Sequence, residues 1–352
     1  MEDLFKIDKI DGKGFGWIAL RDIKAGTLIY KEKPQFVYQK ETPINDQGAL
    51  ELMKSYYAMT ENDQKEFLEL HNLYLDLNSL TDSEKKWYFD TKTDAEAMQR
   101  LGYDIKLLLK IVCITDSNAF KGAVRIKVSR INHSCCPNSL RYKDEDEMVI
   151  RATSKILEGQ EITVSYMQGY QEMNPMSKEG FAMRNFKERQ EFCHSFGFVC
   201  SCELCQDEEF NQDDETYEKF QNMKEEVENI IKQTAFPGFP LLEKALVCQK
   251  QMFNLAKKKK ATKVFLHEIL GKAFDIGYTG YLEAFDQKNH GKMKYFKGEC
   301  ENLSKAGFKI AKMCFGSENA QQYAKLKEWK EINQDFDNWV KKKIEKEFGK
   351  TN

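Results

Sequence analysis

The chain has 352 residues, of which 41% are hydrophobic and 31% charged, with six Pro and a formal charge of −2. That balance describes a globular protein of about two or three domains and excludes collagen-like, low-complexity and disordered readings. No run approaches the ~18 uninterrupted apolar residues of a membrane span, the start Met1-Glu2-Asp3-Leu4 does not resemble a secretory signal, and cytosol or nucleus is the expected compartment.

The first ~40 residues carry β signals. Gly12, Gly14 and Gly16 punctuate a turn, and the runs Trp17–Leu20 and Thr27–Tyr30, separated by Lys24-Ala25-Gly26, predict a hairpin with each other. From Asp46 to about Asn118 the pattern turns helical. Capping-box starts stand at Thr81-x-x-Glu84 and Thr93-x-x-Glu96, the second leading into Ile105, Leu108, Leu109 and Val112. Strand-like segments return at Ala123–Ile131, Met148–Ala152 and Glu161–Tyr166. The acidic stretch Asp207–Glu215 is the expected linker. Beyond it, apolar positions recur at helical spacing: Phe220, Met223, Val227, Ile230; Leu242, Ala245, Leu246, Phe253; Ala273, Phe274, Tyr281, Leu282. An array of helical hairpins is expected to the end of the chain.

The near-zero charge hides two unlike parts. Residues 1–215 hold 28 Lys and Arg against 38 Asp and Glu, while residues 216–352 hold 26 against 18. All eight Arg lie between Arg21 and Arg189, so the basic part uses lysine alone and lacks the planar fork suited to base or phosphate recognition. That argues against direct nucleic-acid binding. The runs Lys257–Lys260 and Lys341–Lys343 read as solvated charge at helix ends.

Ten cysteines in a reducing compartment do not imply five disulfides. Cys200-Ser-Cys202-Glu-Leu-Cys205 packs three thiols into six residues, a spacing that wraps three corners of a tetrahedral zinc ion. For the fourth corner, spacing leaves Cys193, His194, Cys135 and Cys136 all open. Cys248, Cys300, Cys314, His267 and His290 have no ligand-like spacing and read as packing or surface residues.

Four motifs in chain order resemble the SET-domain protein lysine methyltransferases over about residues 5–206. They are Gly12-Lys13-Gly14-Phe15-Gly16 with Arg21–Gly26; Arg130-Ile131-Asn132-His133-Ser134-Cys135-Cys136-Pro137-Asn138; Gly159-Gln160-Glu161-Ile162-Thr163-Val164-Ser165-Tyr166; and Phe196-Gly197-Phe198-Val199-Cys200 with its thiols. The helical insertion, doubled cysteine and helical C-terminal region resemble the SET-and-MYND branch. Residues 40–112 hold no Cys and only His71, so the resemblance is to members without the MYND zinc finger.

The resemblance implies an α+β fold: small SET-domain sheets with a pseudoknot, a helical insertion, a zinc-binding post-SET segment and an all-α tetratricopeptide-like C-terminal domain. The implied limits are 1–45 and 119–175 for SET, 46–118 for the insertion, 176–210 for post-SET and 216–352 for the helical domain. It further implies a protein-lysine N-methyltransferase dependent on S-adenosylmethionine (SAM), acting on a histone or non-histone protein as a monomer. Lys13, Gly14, Phe15, Asn118, Asn132, His133 and Phe198 are the implied cofactor contacts, Tyr166 the catalytic tyrosine beside the cofactor, and Phe196 a wall of the substrate channel. Many relatives carry tyrosine at the Phe196 position. One structural zinc would sit on Cys135, Cys200, Cys202 and Cys205. The competing expectation is a catalytically silent SET scaffold that binds partners through its helices.

Overall fold

A computed structural model describes residues 3–37, 46–72, 102, 104–120, 122–166, 185–211, 214–233, 237–259, 261, 263–315 and 324–348. The two predicted capping boxes at Thr81 and Thr93 lie outside these residues. Among the described residues, three small sheets and a run of helices account for the regular structure.

β1 (Phe5–Ile10) and β2 (Gly14–Ala19) form an antiparallel hairpin, and β2 pairs on its other edge with β8 (Glu161–Ile162). Gly12 (φ 70°) and Gly14 (φ 72°) supply the left-handed backbone that turns β1 into β2, a conformation other residues adopt only at a cost. β3 (Leu28–Glu32), β7 (Glu147–Ala152) and β6 (Ser139–Asp144) form a second sheet in the order β3-β7-β6. β4 (Phe36–Val37) and β5 (Ala123–Val124) form a two-stranded third.

The expected hairpin of Trp17–Leu20 with Thr27–Tyr30 is therefore not formed. β2 takes β1 and β8 as partners, and β3 pairs with β7 more than 100 residues further on. The reason lies in burial: the Phe5 ring stacks on Trp17 at 3.6 Å, and Trp17 Nε1 donates to the Lys127 carbonyl at 2.9 Å. Trp17 thereby joins Ile23, Ile29, Met148, Ile150, Ile162 and Val164 in one fully enclosed core. Two predicted strands are also shorter than expected. Ala123–Ile131 keeps only two strand residues before a 3₁₀ turn at Val128–Arg130, and Glu161–Tyr166 keeps two.

The predicted helical insertion contains α1 (Asp46–Tyr57), α2 (Glu61–Leu68) and α3 (Ile105–Asn118). Leu52, Met53, Phe67, Leu108, Ile111 and Val112 form a separate core with Phe36 and Val124, so this lobe hangs on the smallest sheet. After the sheets come α4 (Phe186–His194) and the short α5 (Glu203–Gln206) and α6 (Glu208–Asn211). The expected acidic linker is thus largely helical, since α7 (Asp214–Gln233) begins within it.

The C-terminal part continues as α8 (Phe239–Lys258), α9 (Lys263–Asp286), α10 (His290–Phe315), α11 (Ala324–Gln334) and α12 (Phe336–Phe348). The predicted stripes of Phe220, Met223, Val227, Ile230, Leu242, Ala245, Leu246, Ala273, Phe274 and Tyr281 are buried; Phe253 and Leu282 stay half-buried. Glycines let α9 and α10 approach closely: a Cβ on Gly280 would lie 2.5 Å from the Phe296 ring. The lysine run 257–259 ends α8, whereas Lys341–Lys343 lie inside α12 rather than at its end. Lys343 pairs with Glu328 at 3.2 Å and covers the Trp339 ring. This array packs against the second sheet, where the Tyr142 hydroxyl donates to the Phe315 carbonyl at 3.4 Å. No described helix is long and apolar enough to cross a membrane.

Candidate functional site

The site is made where residues 131–139 run beside residues 161–166. Ser134 N donates to the Val164 carbonyl at 3.0 Å, Val164 N to the Asn132 carbonyl at 3.1 Å, and Ser139 N to the Thr163 carbonyl at 3.1 Å. Asn138 reinforces the crossing from its side chain. Its Nδ2 donates to the Glu161 carbonyl at 2.8 Å and its Oδ1 accepts from Thr163 N at 2.9 Å. Backbone groups that a regular sheet would have paired are paired here between two irregular segments.

One end of the crossing is polar. The Glu161 carboxylate lies between two donors, Lys13 Nζ at 2.8 Å and Asn132 Nδ2 at 2.9 Å. Asn132 Nδ2 also reaches the Phe15 carbonyl at 3.2 Å. This packing needs Gly16, where a Cβ would stand 2.3 Å from Ile10 Cδ1 and 2.7 Å from Asn132 Nδ2. Phe15 is 42% exposed beneath the Arg130 guanidinium, 5.1 Å from its ring centre. Lys13, Gly14, Phe15 and Asn132 thus form one edge, with a cation and an amide already arranged around a carboxylate.

The other end is aromatic. The Tyr166 ring stands 5.3 Å from His133, 5.5 Å from Phe196 and 6.2 Å from Phe198, and Phe198 is 6.0 Å from His133. The Tyr166 hydroxyl donates to the Ile131 carbonyl at 2.9 Å. Burial pushes its pKa up to about 12, against the opposing pull of Arg141, so it is a neutral phenol at physiological pH. Arg141 itself stacks on Phe120 at 4.5 Å. Asn118 stands elsewhere in the contact network: its amide donates to the carbonyls of Ile114 and His71, tying it to the helical lobe.

Beside the aromatic end lies a buried thiol cluster. The sulfurs of Cys135, Cys200, Cys202 and Cys205 all lie within 4.8 Å of one another. Cys135 stands 3.8 Å from Cys200 and 3.5 Å from Cys205. A tetrahedral zinc with ~2.3 Å Zn–S bonds requires sulfur separations of about 3.8 Å, so the set fits such an ion. The thiols share protons. Hydrogen bonds from Cys135, Cys136, Cys200 and Cys205 hold the Cys202 thiol far below the ordinary range, while Cys135, hydrogen-bonded first to Cys193, is pushed up. Cys193 forms a second group with His133, Cys135 and Cys200, again within 4.8 Å. Of the residues left open by spacing, His194 is exposed and Cys136 belongs to neither group.

His133 connects the aromatic end with the thiol cluster. Its Nδ1 accepts from Tyr166 N at 3.1 Å, and its Nε2 faces Cys135 Sγ at 3.4 Å. Burial holds its pKa down at about 4, so the ring is neutral. Several supports carried no sequence signal of their own. Gln190 clamps the thiol loop with two bonds, Nε2 to the Cys200 carbonyl at 2.9 Å and Cys200 N to its Oε1 at 3.0 Å. Asn211 Nδ2 adds a bond to the Cys205 carbonyl at 2.8 Å. Glu161 and Asn138 were visible only as members of their motifs.

Residues 14–167 match the SET domain model, a span that begins within the glycine turn, at Gly14, and takes in the crossing and Tyr166. A SET domain-containing protein of Acanthamoeba polyphaga mimivirus is 29% identical over 212 residues, covering 56% of this chain and 75% of the viral one. A histone-lysine N-methyltransferase of Schizosaccharomyces pombe is 24% identical over 210 residues, 59% of this chain and 52% of its own. One from Arabidopsis thaliana is 36% identical over 81 residues, 22% of this chain and 14% of its own. The chain thus spans about half or less of the length of these two named methyltransferases. Residues 14–167 thus match a SET domain, in a chain similar to proteins named as histone-lysine N-methyltransferases.

Proposed function

We propose that the protein is a SAM-dependent protein-lysine N-methyltransferase acting on a histone or non-histone protein, with a SET core, a structural zinc on its post-SET segment and a SMYD-like helical C-terminal domain. The observation that carries this reading is the crossing of residues 131–135 with 161–166, which gathers Asn132, His133, Tyr166 and Phe198 at one spot.

The residues present fit the cofactor. Lys13 Nζ and Asn132 Nδ2 already hold a carboxylate, that of Glu161, in the manner a bound amino acid's carboxylate would require. Phe198 and the neutral His133 ring offer an apolar bed for an adenine. When bound, SAM supplies an activated methyl group on a sulfonium. Tyr166 then serves as an orienting group rather than a base, because a phenol titrating near 12 keeps its proton and directs it at a neighbouring oxygen. Phe196 and Phe192, 5.0 Å apart, line the aromatic end and exclude water from a lysine amine, favouring its uncharged form. The excess of acidic residues in residues 1–215 suits a basic peptide.

The thiol set fits a zinc ion, which Cys135, Cys200, Cys202 and Cys205 would hold. Its role would be to fix the post-SET segment against His133 and Phe198.

Calorimetry with SAM, followed by transfer of labelled methyl groups to a proteome extract, tests the activity. Wild type and Tyr166→Phe should both bind SAM, with turnover lower by about 10²-fold in the variant. A chain that binds no SAM and labels nothing overturns the reading in favour of a binding scaffold. Phe196→Tyr should shift products toward monomethyl-lysine, since the added hydroxyl occupies space beside the amine; identical product masses from both enzymes would sink that part.

A further inference from the structure

We propose that Cys193 is a reserve ligand of the metal site: five thiols surround four coordination corners, and Cys193 takes the place of Cys202 or Cys205 when either is lost. This rests on the zinc reading above and extends it to a residue outside the expected quartet.

Three observations carry it. Cys193 Sγ lies within 4.8 Å of Cys135 Sγ and Cys200 Sγ. Cys135 and Cys200 are therefore common to two thiol faces, one completed by Cys202 and Cys205 and the other by Cys193. The last turn of α4 that bears Cys193 is held in place, because Gln190, one turn earlier, clamps the Cys200 backbone with two hydrogen bonds. Asn185 and Glu188 close the start of the same helix with a capping box. A sulfur so fixed needs only a small displacement of the ion to come within bonding distance. Cys193 is also fully buried, which shields it from competing reactions and leaves the cluster as its polar neighbourhood.

His133 does not compete for that role, although its ring nitrogen belongs to the same group. Its Nδ1 accepts a hydrogen bond from Tyr166 N, a backbone amide that can only donate. The proton of a neutral imidazole is then on Nε2, the nitrogen that faces Cys135 Sγ at 3.4 Å. Nε2 thus donates to the sulfur and has no lone pair for a metal. Cys193 remains the one additional ligand of that group.

The test uses the full chain as wild type, Cys193→Ser, Cys202→Ser, Cys205→Ser and the double variants Cys193→Ser/Cys202→Ser and Cys193→Ser/Cys205→Ser. Zinc per chain is measured directly, zinc release is followed with a chromogenic chelator, and Co²⁺ is substituted so that sulfur-to-metal charge transfer reports the number of thiolates. Wild type and Cys193→Ser should each hold one zinc with four-thiolate Co²⁺ spectra. Cys202→Ser and Cys205→Ser should keep the metal with four-thiolate intensity but release it faster, by about 10-fold or more. The double variants should lose the zinc, or hold Co²⁺ with about three quarters of the charge-transfer intensity. Loss of zinc in both single loop variants, or double variants that match their single parents, would overturn the assignment of Cys193 while leaving the quartet intact. A wild-type chain that holds no zinc would overturn the metal reading itself.

Discussion

The crossing around Tyr166 and the helices of residues 239–315 are built on opposite plans. In the crossing, strands are two to six residues long and the chain is held by side chains that reach across sequence: Asn138 to Glu161 and Thr163, Glu32 to the amides of Lys127 and Val128, Gln190 to Cys200. In the helical part, α8, α9 and α10 run for 20, 24 and 26 residues and meet along apolar stripes narrowed by glycine. One plan satisfies polar groups over long loops, whose closure entropy must be overcome. The other satisfies them locally and derives its stability from packing. The first should therefore be sensitive to loss of a polar partner or an ion, and the second to a change of volume.

Removal of metal should separate the two regions most sharply. Binding energies of structural zinc are on the order of 10 kcal/mol, so a strong chelator should expose residues 196–211 to protease while the far-ultraviolet signal of the helices persists. Cys135→Ser should do the same without chelator, since that sulfur serves both thiol faces. Simultaneous melting of the helices would break the comparison. Next in size is Gly307→Val: a Cβ there would stand 1.2 Å from the Trp329 ring, and overpacking of about 3 kcal/mol should appear as a lower denaturant midpoint with zinc content unchanged. Asn138→Ala should cost about 2 kcal/mol, because it strips the amide of the buried Thr163 of its acceptor. In an unfolding titration its effect should come with weakened SAM binding, which Gly307→Val should leave alone. The smallest effect belongs to Lys343→Ala. A part-exposed pair with Glu328 and contact with the Trp339 ring amount to about 0.5 kcal/mol, and a Tm change much beyond 2 °C would show that the surface of α12 matters more than its packing.

The same contrast decides what could be read from sequence. Phe220, Met223, Val227 and Ile230 announce their helix because helical burial is periodic within one segment. Asn132, His133, Tyr166 and the thiol triplet were legible as motifs, since each belongs to a short run of unusual residue types. Pairing was not legible. β3 and β7 meet across more than 100 residues, and nothing in Leu28–Glu32 encodes that partner. β6 lies outside the strand-like segments expected from sequence although Ser-Leu-Arg-Tyr-Lys alternates, and its polar ends Ser139 and Asp144 are buried by the neighbouring segments. Cys193 could be suggested for the fourth corner but not located, because its nearness to Cys135 and Cys200 depends on how α4 folds back over the thiol loop.

The His133 ring offers a use of its own. It is one of five histidines in the chain, and the proton on its Nε2 points at a sulfur while its Nδ1 faces the amide of Tyr166. Nitrogen-15 resonances of that single ring would register electron withdrawal from the sulfur on one side and movement of the tyrosine on the other. The molecule thus contains an internal gauge, free of any added label, on which the thiol cluster and the Tyr166 end of the crossing can be read in one spectrum.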